Sequence, residues 1–451
     1  MAKGKKTALE AKSKIKKVVY DQFSTFAEDD GGGTLGAVDS MNCTSIDGIL
    51  RAGVGLSIYY TANDDEVEYW YDEPKSYYIF KDVEQGIECL GIMTAYGSGF
   101  YVDEEELRIA TFKNYFYYMK MYYSVNQDFE NILLAVGYAG IYDYTNEEER
   151  KSDLKYIQAS CMCKDRLYVV SQNHQLRYSM PLEYLSFNET LDDSGVLYLP
   201  TNYGVPKGMA TFLDNVYVFY DYHIIELQAA GAARDFKMRE LQYIGGMIIG
   251  DSMRVFADKL IFFAENGVYS FDGRTIRKVY ERLKIFPHKS RGIFCSSVCD
   301  GKMLVRYVDN NMEDKTVALY PDGEYGYFTT VLKGVGEYKG KTFCLYKNKF
   351  YNVKDGEILP SGEFRYFRSV TQDFGVKGRK TLKKLHFEGE FSAHFDVYVD
   401  GVKKVDAAFA RFEDKNKLTF DLDLRGEEFS FVIYIASKAK LWRLTAEVEY
   451  V

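Results

Sequence analysis

MRVFADKLIFFAENGVYSFDGRTIRKV (Met253–Val279) decides the fold. It reads as an apolar entry strand, an Asp-Lys step into a hydrophobic strand, a polar turn and a closing strand. IQASCMCKDRLYVVSQNHQLRYSM (Ile157–Met180) repeats the plan, with Lys-Asp ahead of its second strand. GMATFLDNVYVFYDYHIIEL (Gly208–Leu227) repeats it again, with a turn expected at Asp214–Asn215. Gly292–Tyr320 turns at Asp300–Gly301 and at Asp309–Asn311. Gly334–Leu359 turns at Lys339–Gly340, Lys347–Asn348 and Asp355–Gly356. Short strands recurring about every 40 to 50 residues are the pattern of β-propeller blades. Counted back to residue 40, the units amount to about six or seven blades, residues 60–155 being the least regular.

Composition agrees with an all-β chain. Of 451 residues, 40 are Tyr and 31 Phe against 2 Trp, and Tyr and Phe suit a half-buried pleated surface. No apolar run reaches the length of a membrane span, and the basic N-terminus lacks the apolar segment of a secretory signal. The seven cysteines (Cys43, Cys89, Cys161, Cys163, Cys295, Cys299, Cys344) are odd in number and mostly lie in apolar strand patterns. That favours buried, reduced thiols in a chain made in a reducing cytoplasm.

Charge is unevenly spread. Residues 1–20 hold Lys3, Lys5, Lys6, Lys12, Lys14, Lys16 and Lys17 against one Glu, a net +6. Residues 361–451 hold 16 basic and 15 acidic residues, so the overall −9 leaves −16 on residues 21–360. An acidic body repels phosphate backbones. KGKKTALEAKSKIKKVV (residues 3–19) favours helix by propensity, lacks a broad apolar stripe and reads as an exposed arm. After Pro360 the texture changes to longer alternating strands (LKKLHFEGEF, KLTFDLDL, EFSFVIYIAS, WRLTAEVEYV), as in an antiparallel β-sandwich. The expected division is therefore a basic arm and linker over 1–30, a propeller over 31–365 and a sandwich over 366–451.

No motif assembles a catalytic, cofactor or metal site. His174, His223, His288, His386 and His394 are scattered without ligand spacing. Cys161-x-Cys163 and Cys295-xxx-Cys299 lack partners and read as core cysteines. Asp29/Asp30 and Asp192/Asp193 read as solvated turns rather than a glycosidase pair. Asp309–Asn311, followed by Glu313 and Asp314, lacks calcium-loop spacing. KGRKTLKK (Lys377–Lys384) could meet an acidic partner or simply protect a strand edge. The residues expected at protein interfaces are thus Lys5, Lys6, Lys12, Lys14, Lys16 and Lys17 of the arm, with Lys377, Arg379 and Lys380.

Several segments resemble β-propeller virion proteins of tailed phages. In AVDSMNCTSIDGILRAGVG (Ala37–Gly55), Gly48, Leu50, Arg51, Gly53 and Gly55 are similar to the family's opening turn. In CKDRLYVVSQNHQLRYSMPLEYLSF (Cys163–Phe187), Arg166, Leu167, Tyr168, Val169, Tyr178, Ser179 and Pro181 match its strand–turn–strand segment. ENGVYSFDGRTIRKV (Glu265–Val279) resembles its blade end, and the tail resembles a virion β-sandwich. The resemblance implies a non-catalytic, ring-forming hub, nozzle or head–tail connector protein without cofactor, located in the virion tail and contacting other tail proteins. It would be a homo-oligomer along whose acidic surface DNA passes without sticking. Two other classes stay open: a glycan-binding receptor-recognition module, which needs Tyr or Trp platforms beside carboxylates, and a propeller-type glycoside hydrolase, which needs convergent carboxylates.

Overall fold

The computed structural model describes residues 13–25, 33–61, 76–82, 87–93, 97–102, 106–111, 119–128, 131–138, 140–143, 150–152, 154–189, 193–229, 232–250, 252–283, 293–309, 311–328, 332–338, 341–346, 349–357, 359, 364–390, 393–409, 411–414 and 416–451. Two compact units emerge. One comprises Ser57–Gly323 and Thr330–Val353, the other Met1–Leu56, Glu324–Thr329 and Lys354–Val451.

The first unit is a β-propeller. Among the described residues the chain forms seven four-stranded sheets, each antiparallel wherever its pairing is defined. In chain order they begin with strands Ser76–Asp82, Met119–Val125, Ile157–Cys163, Gly208–Phe212, Arg254–Phe256, Ile293–Cys299 and Lys333–Tyr338. Opening strands of successive sheets lie side by side, as Ser76–Asp82 with Met119–Val125 and Ile157–Cys163 with Gly208–Phe212, and Lys333–Tyr338 returns to lie beside Ser76–Asp82, which closes the circle. The seventh sheet takes its outer strand, Val54–Thr61, from far upstream in the chain. Ring closure therefore joins segments about 290 residues apart, as circular folds need if no edge is to stay open.

Paired left-handed residues punctuate the blades. Lys164–Asp165 (φ 46° and 60°), Leu213–Asp214 (46° and 62°), Ala257–Asp258 (48° and 56°) and Asp300–Gly301 (47° and 70°) join first to second strands. Positive φ at both central residues is the type I′ hairpin geometry, whose twist matches that of the strands. The third-quoted unit turns one residue earlier than its Asp-Asn pair suggested. Asn215 instead begins the second strand, where its Nδ2 donates to Glu226 Oε1 at 3.0 Å. Between blades the gaps fill with aromatic rings: Phe219 lies 5.4 Å from Phe262, and Tyr217 5.4 Å from Phe271, centroid to centroid. Part of the Tyr and Phe excess thus fills the space between successive sheets.

The second unit is a β-sandwich. One sheet contains Arg411–Asp414, Lys417–Gly426, Lys380–Glu390, Lys440–Tyr450, Ile49–Ala52 and Cys43–Ile46 in that order, with Lys14–Tyr20 paired on Lys440–Tyr450. The other runs Gln22–Ser24, Thr34–Met41, Tyr366–Ser369, Phe429–Ile435, Ala393–Val399, Val402–Phe409. Their shared core includes Tyr20, Phe23, Leu35 and Leu50 beside Phe367, Phe395, Phe431 and Leu444.

This division differs from the expected one. Residues 14–52 belong with the sandwich, so the propeller is an insertion between its strands. Lys14–Tyr20 is a strand, not a helical arm, and residues 1–12 lie outside the described part. The alternation of KIKKVVY was hidden because a core-side position carries lysine. Lys16 reaches past the core so that its Nζ donates to the Phe374 carbonyl at 2.8 Å, while Val18 and Tyr20 pack inside. Gly55 is glycine for a local reason: a Cβ there would collide with the Glu357 carbonyl.

Candidate interaction surfaces

The basic residues expected at interfaces fall into three groups. Lys5, Lys6 and Lys12 lie outside the described residues. Lys14, Lys16 and Lys17 sit on a strand paired through its whole length with Lys440–Tyr450. Lys17 Nζ lies 2.7 Å from Glu447 Oε1, and that cation holds the Glu447 carboxyl below its ordinary range, with His386 Nε2 3.4 Å from the same oxygen. Lys17 therefore ties the strand to its own sheet.

The run Lys377–Lys384 behaves similarly. Lys377 and Arg379 are exposed. Lys380 is 2% exposed and is not a surface residue at all. Its Nζ donates to the carbonyls of Asp373 (2.8 Å), Val376 (2.6 Å) and Glu427 (2.6 Å), three acceptors for three N–H bonds. Burial pushes its pKa down, opposed by Asp373 and Glu427. Lys383 pairs with Asp423 at 2.8 Å and Glu449 at 3.1 Å, and Lys384 with Asp421 at 3.0 Å. Lys383 and Lys384 are thus answered by carboxylates of the neighbouring strands.

Inside the propeller, buried charges hold hairpins. Glu226 accepts from Asn215 and from Tyr217 (3.0 Å each) and pairs with Arg239. Arg166, expected as a family position, donates to the Ser179 carbonyl at 3.0 Å and pairs with Asp193. Cys161 and Cys163 are buried free thiols, pushed up by burial to about 12 and about 11. Asp309 Oδ1 accepts from the Asn311 and Glu313 amides, so it closes a turn. Asp29/Asp30, Asp192, His288 and Trp70 lie outside the described residues, as do the side chains of Cys295 and Cys299.

One propeller cluster had no signature in the sequence. Tyr203 and His223 stack with centroids 3.8 Å apart, and both bind Glu240: Tyr203 donates at 2.6 Å and His223 Nδ1 lies 2.6 Å away. The Tyr203 bond, then the His223 contact, hold Glu240 below its ordinary range, and the same bond pushes Tyr203 up. The three residues come from a connection, a hairpin and an outer strand, so no spacing rule would have joined them. Among the described residues no three His, Cys, Asp or Glu side chains are grouped to hold a metal. No described helix is long and apolar enough to cross a membrane.

No family model matches this chain. No curated protein matches it either. Among solved structures it is similar to BBS1N in complex with ARL6DN, at 11% identity over 65% of this chain and 94% of that one, with a TM-score of 0.46. It is similar to virginiamycin B lyase from Staphylococcus aureus at 11% identity over 67% and 99%, TM-score 0.45. It is similar to BamB from Moraxella catarrhalis at 11% identity over 70% and 96%, TM-score 0.41. The propeller rests on the seven four-stranded sheets themselves.

Proposed function

We propose that this chain is a structural, non-catalytic protein of a tailed-phage virion, placed in the tail at the hub, nozzle or head–tail connector and assembled as a homo-oligomeric ring. One observation carries the reading: two of the segments similar to phage virion proteins take in consecutive whole strands of a blade. Cys163–Phe187 covers the second and third strands of the third blade, and Glu265–Val279 the last two strands of the fifth. The charge distribution supports it too. The sandwich unit holds 25 basic and 25 acidic residues, so all of the −9 belongs to the propeller. A net-acidic unit repels a duplex that passes along it.

Electron microscopy and mass photometry of the purified protein, and of particles containing it, test the proposal. A symmetric ring, or one symmetric position in the tail, is expected. A monomer found at no symmetric position in any particle would overturn it.

A further inference from the structure

The outward face of the six-stranded sandwich sheet is paved in a way the virion reading does not require. Register places Tyr366 opposite Tyr434, and Tyr434 opposite His394, so three rings form a row across three adjacent strands. The next row is Asp39, Arg368, Val432 and Asp396. Tyr398 follows one step further along its strand.

The side chains of these rows lie down along the sheet. Tyr366 donates its hydroxyl to Asp39 at 2.7 Å, on the neighbouring strand and one step diagonal. Tyr434 does the same to Asp396 at 3.2 Å. Arg368 reaches across the intervening strand to bring its guanidinium 5.4 Å from the Tyr398 ring centre. Lys403 lies 5.8 Å from that ring and pairs with Asp396 at 2.7 Å, and with Asp406 at the rim at 3.0 Å. Two outward-pointing residues at the centre confirm the paving: Val432 is 7% exposed and Asp396 1%. Phe364 (69% exposed), two residues before Tyr366, and Val38 (57%), beside Asp39, extend the apolar border.

We propose that this face is a binding platform for a neutral saccharide. Tyr366 and Tyr434, pinned by their hydroxyls, would stack on the C–H face of a sugar ring without reordering on binding. Arg368, Lys403 and Asp39 stand beside the rings, where sugar hydroxyls need donors and acceptors. On this face two cations, Arg368 and Lys403, meet three carboxylates, Asp39, Asp396 and Asp406, so it has no net positive charge to attract a polyanion. Burial, with Asp39, pushes Tyr366 up to about 12, and it remains a hydrogen-bond donor throughout the physiological range.

The test uses the full chain on an array of neutral hexasaccharides of glucose, galactose, mannose and N-acetylglucosamine, with sulfated and sialylated analogues. The best neutral hit is then titrated by calorimetry. Binding of neutral glycans is expected, with affinity reduced tenfold or more by Arg368→Ala and by Tyr398→Ala. Tyr366→Phe, which keeps the ring, should bind within a few-fold of the parent, while Tyr366→Ala should not. Melting temperatures decide whether an alanine variant has unfolded; the exposed Arg368→Ala then carries the result. Absence of any neutral hit, binding confined to acidic glycans, or full binding by Arg368→Ala would each overturn the proposal. So would a change of oligomeric state in that variant without loss of glycan, because the face would then be a subunit contact. A ring seen without glycan binding would leave the virion reading standing and remove this one.

Discussion

At the residue scale, Lys380 shows how misleading a basic run can be. Within KGRKTLKK nothing marks one lysine as interior, since its three acceptors are carbonyls at 373, 376 and 427, which sequence does not show. Replacing it should be costly. Lys380→Ala leaves three carbonyls without their donor in a site closed to water, and about 3 kcal/mol of stability should be lost, read by urea denaturation. A variant as stable as the parent would mean that water takes the ammonium's place. Ala257 offers the opposite sign. It is exposed at φ 48° in a type I′ turn, where a short polar side chain is easier to hold, so Ala257→Asn should raise stability by about 1 kcal/mol.

At the element scale, the blades were legible because each carries local information: an apolar run, a two-residue turn and a second apolar run, all within some 15 residues. The N-terminal strands were not. Lys14–Tyr20 finds its partner in Lys440–Tyr450, more than 400 residues away, and a lysine occupies one of its core-side positions. The difference can be measured. An exposed arm would tolerate Tyr20→Ala, whereas a strand with Tyr20 in the core and its hydroxyl 2.7 Å from Gln372 should lose about 3 to 5 kcal/mol. The aromatic row across Tyr366, Tyr434 and His394 was illegible for the same reason. Its members are brought together by register between strands that do not follow one another in the chain.

At the scale of the whole molecule, buried phenols and thiols make stability sensitive to alkali. Burial pushes Tyr168, Tyr217, Tyr220, Tyr243 and Tyr280 up from 10, and the thiols of Cys43 and Cys161 up to about 12. The unfolded chain releases these protons at lower pH than the folded one does. Their contribution is therefore complete below about pH 8.5, where the unfolded thiols begin to ionise, and is lost as pH rises through the folded values. Urea midpoints should be level from pH 7 to 8.5 and fall steeply from pH 10 to 11. A flat profile would mean that these groups are open to solvent.

The insertion of the wheel between strands of the sandwich also sets a timetable. The strands between Lys14 and Ala52 leave the ribosome well before their distant partners, which begin at Tyr366. At roughly 5 to 20 residues per second, translation takes about 15 to 60 s to cover that gap. The earlier-made strands must wait, sticky and unsatisfied, until the later-made ones arrive. A cell producing this protein in quantity has to keep those nascent ends apart for most of a minute, so yield should depend on chaperone supply more than on the stability of the finished molecule.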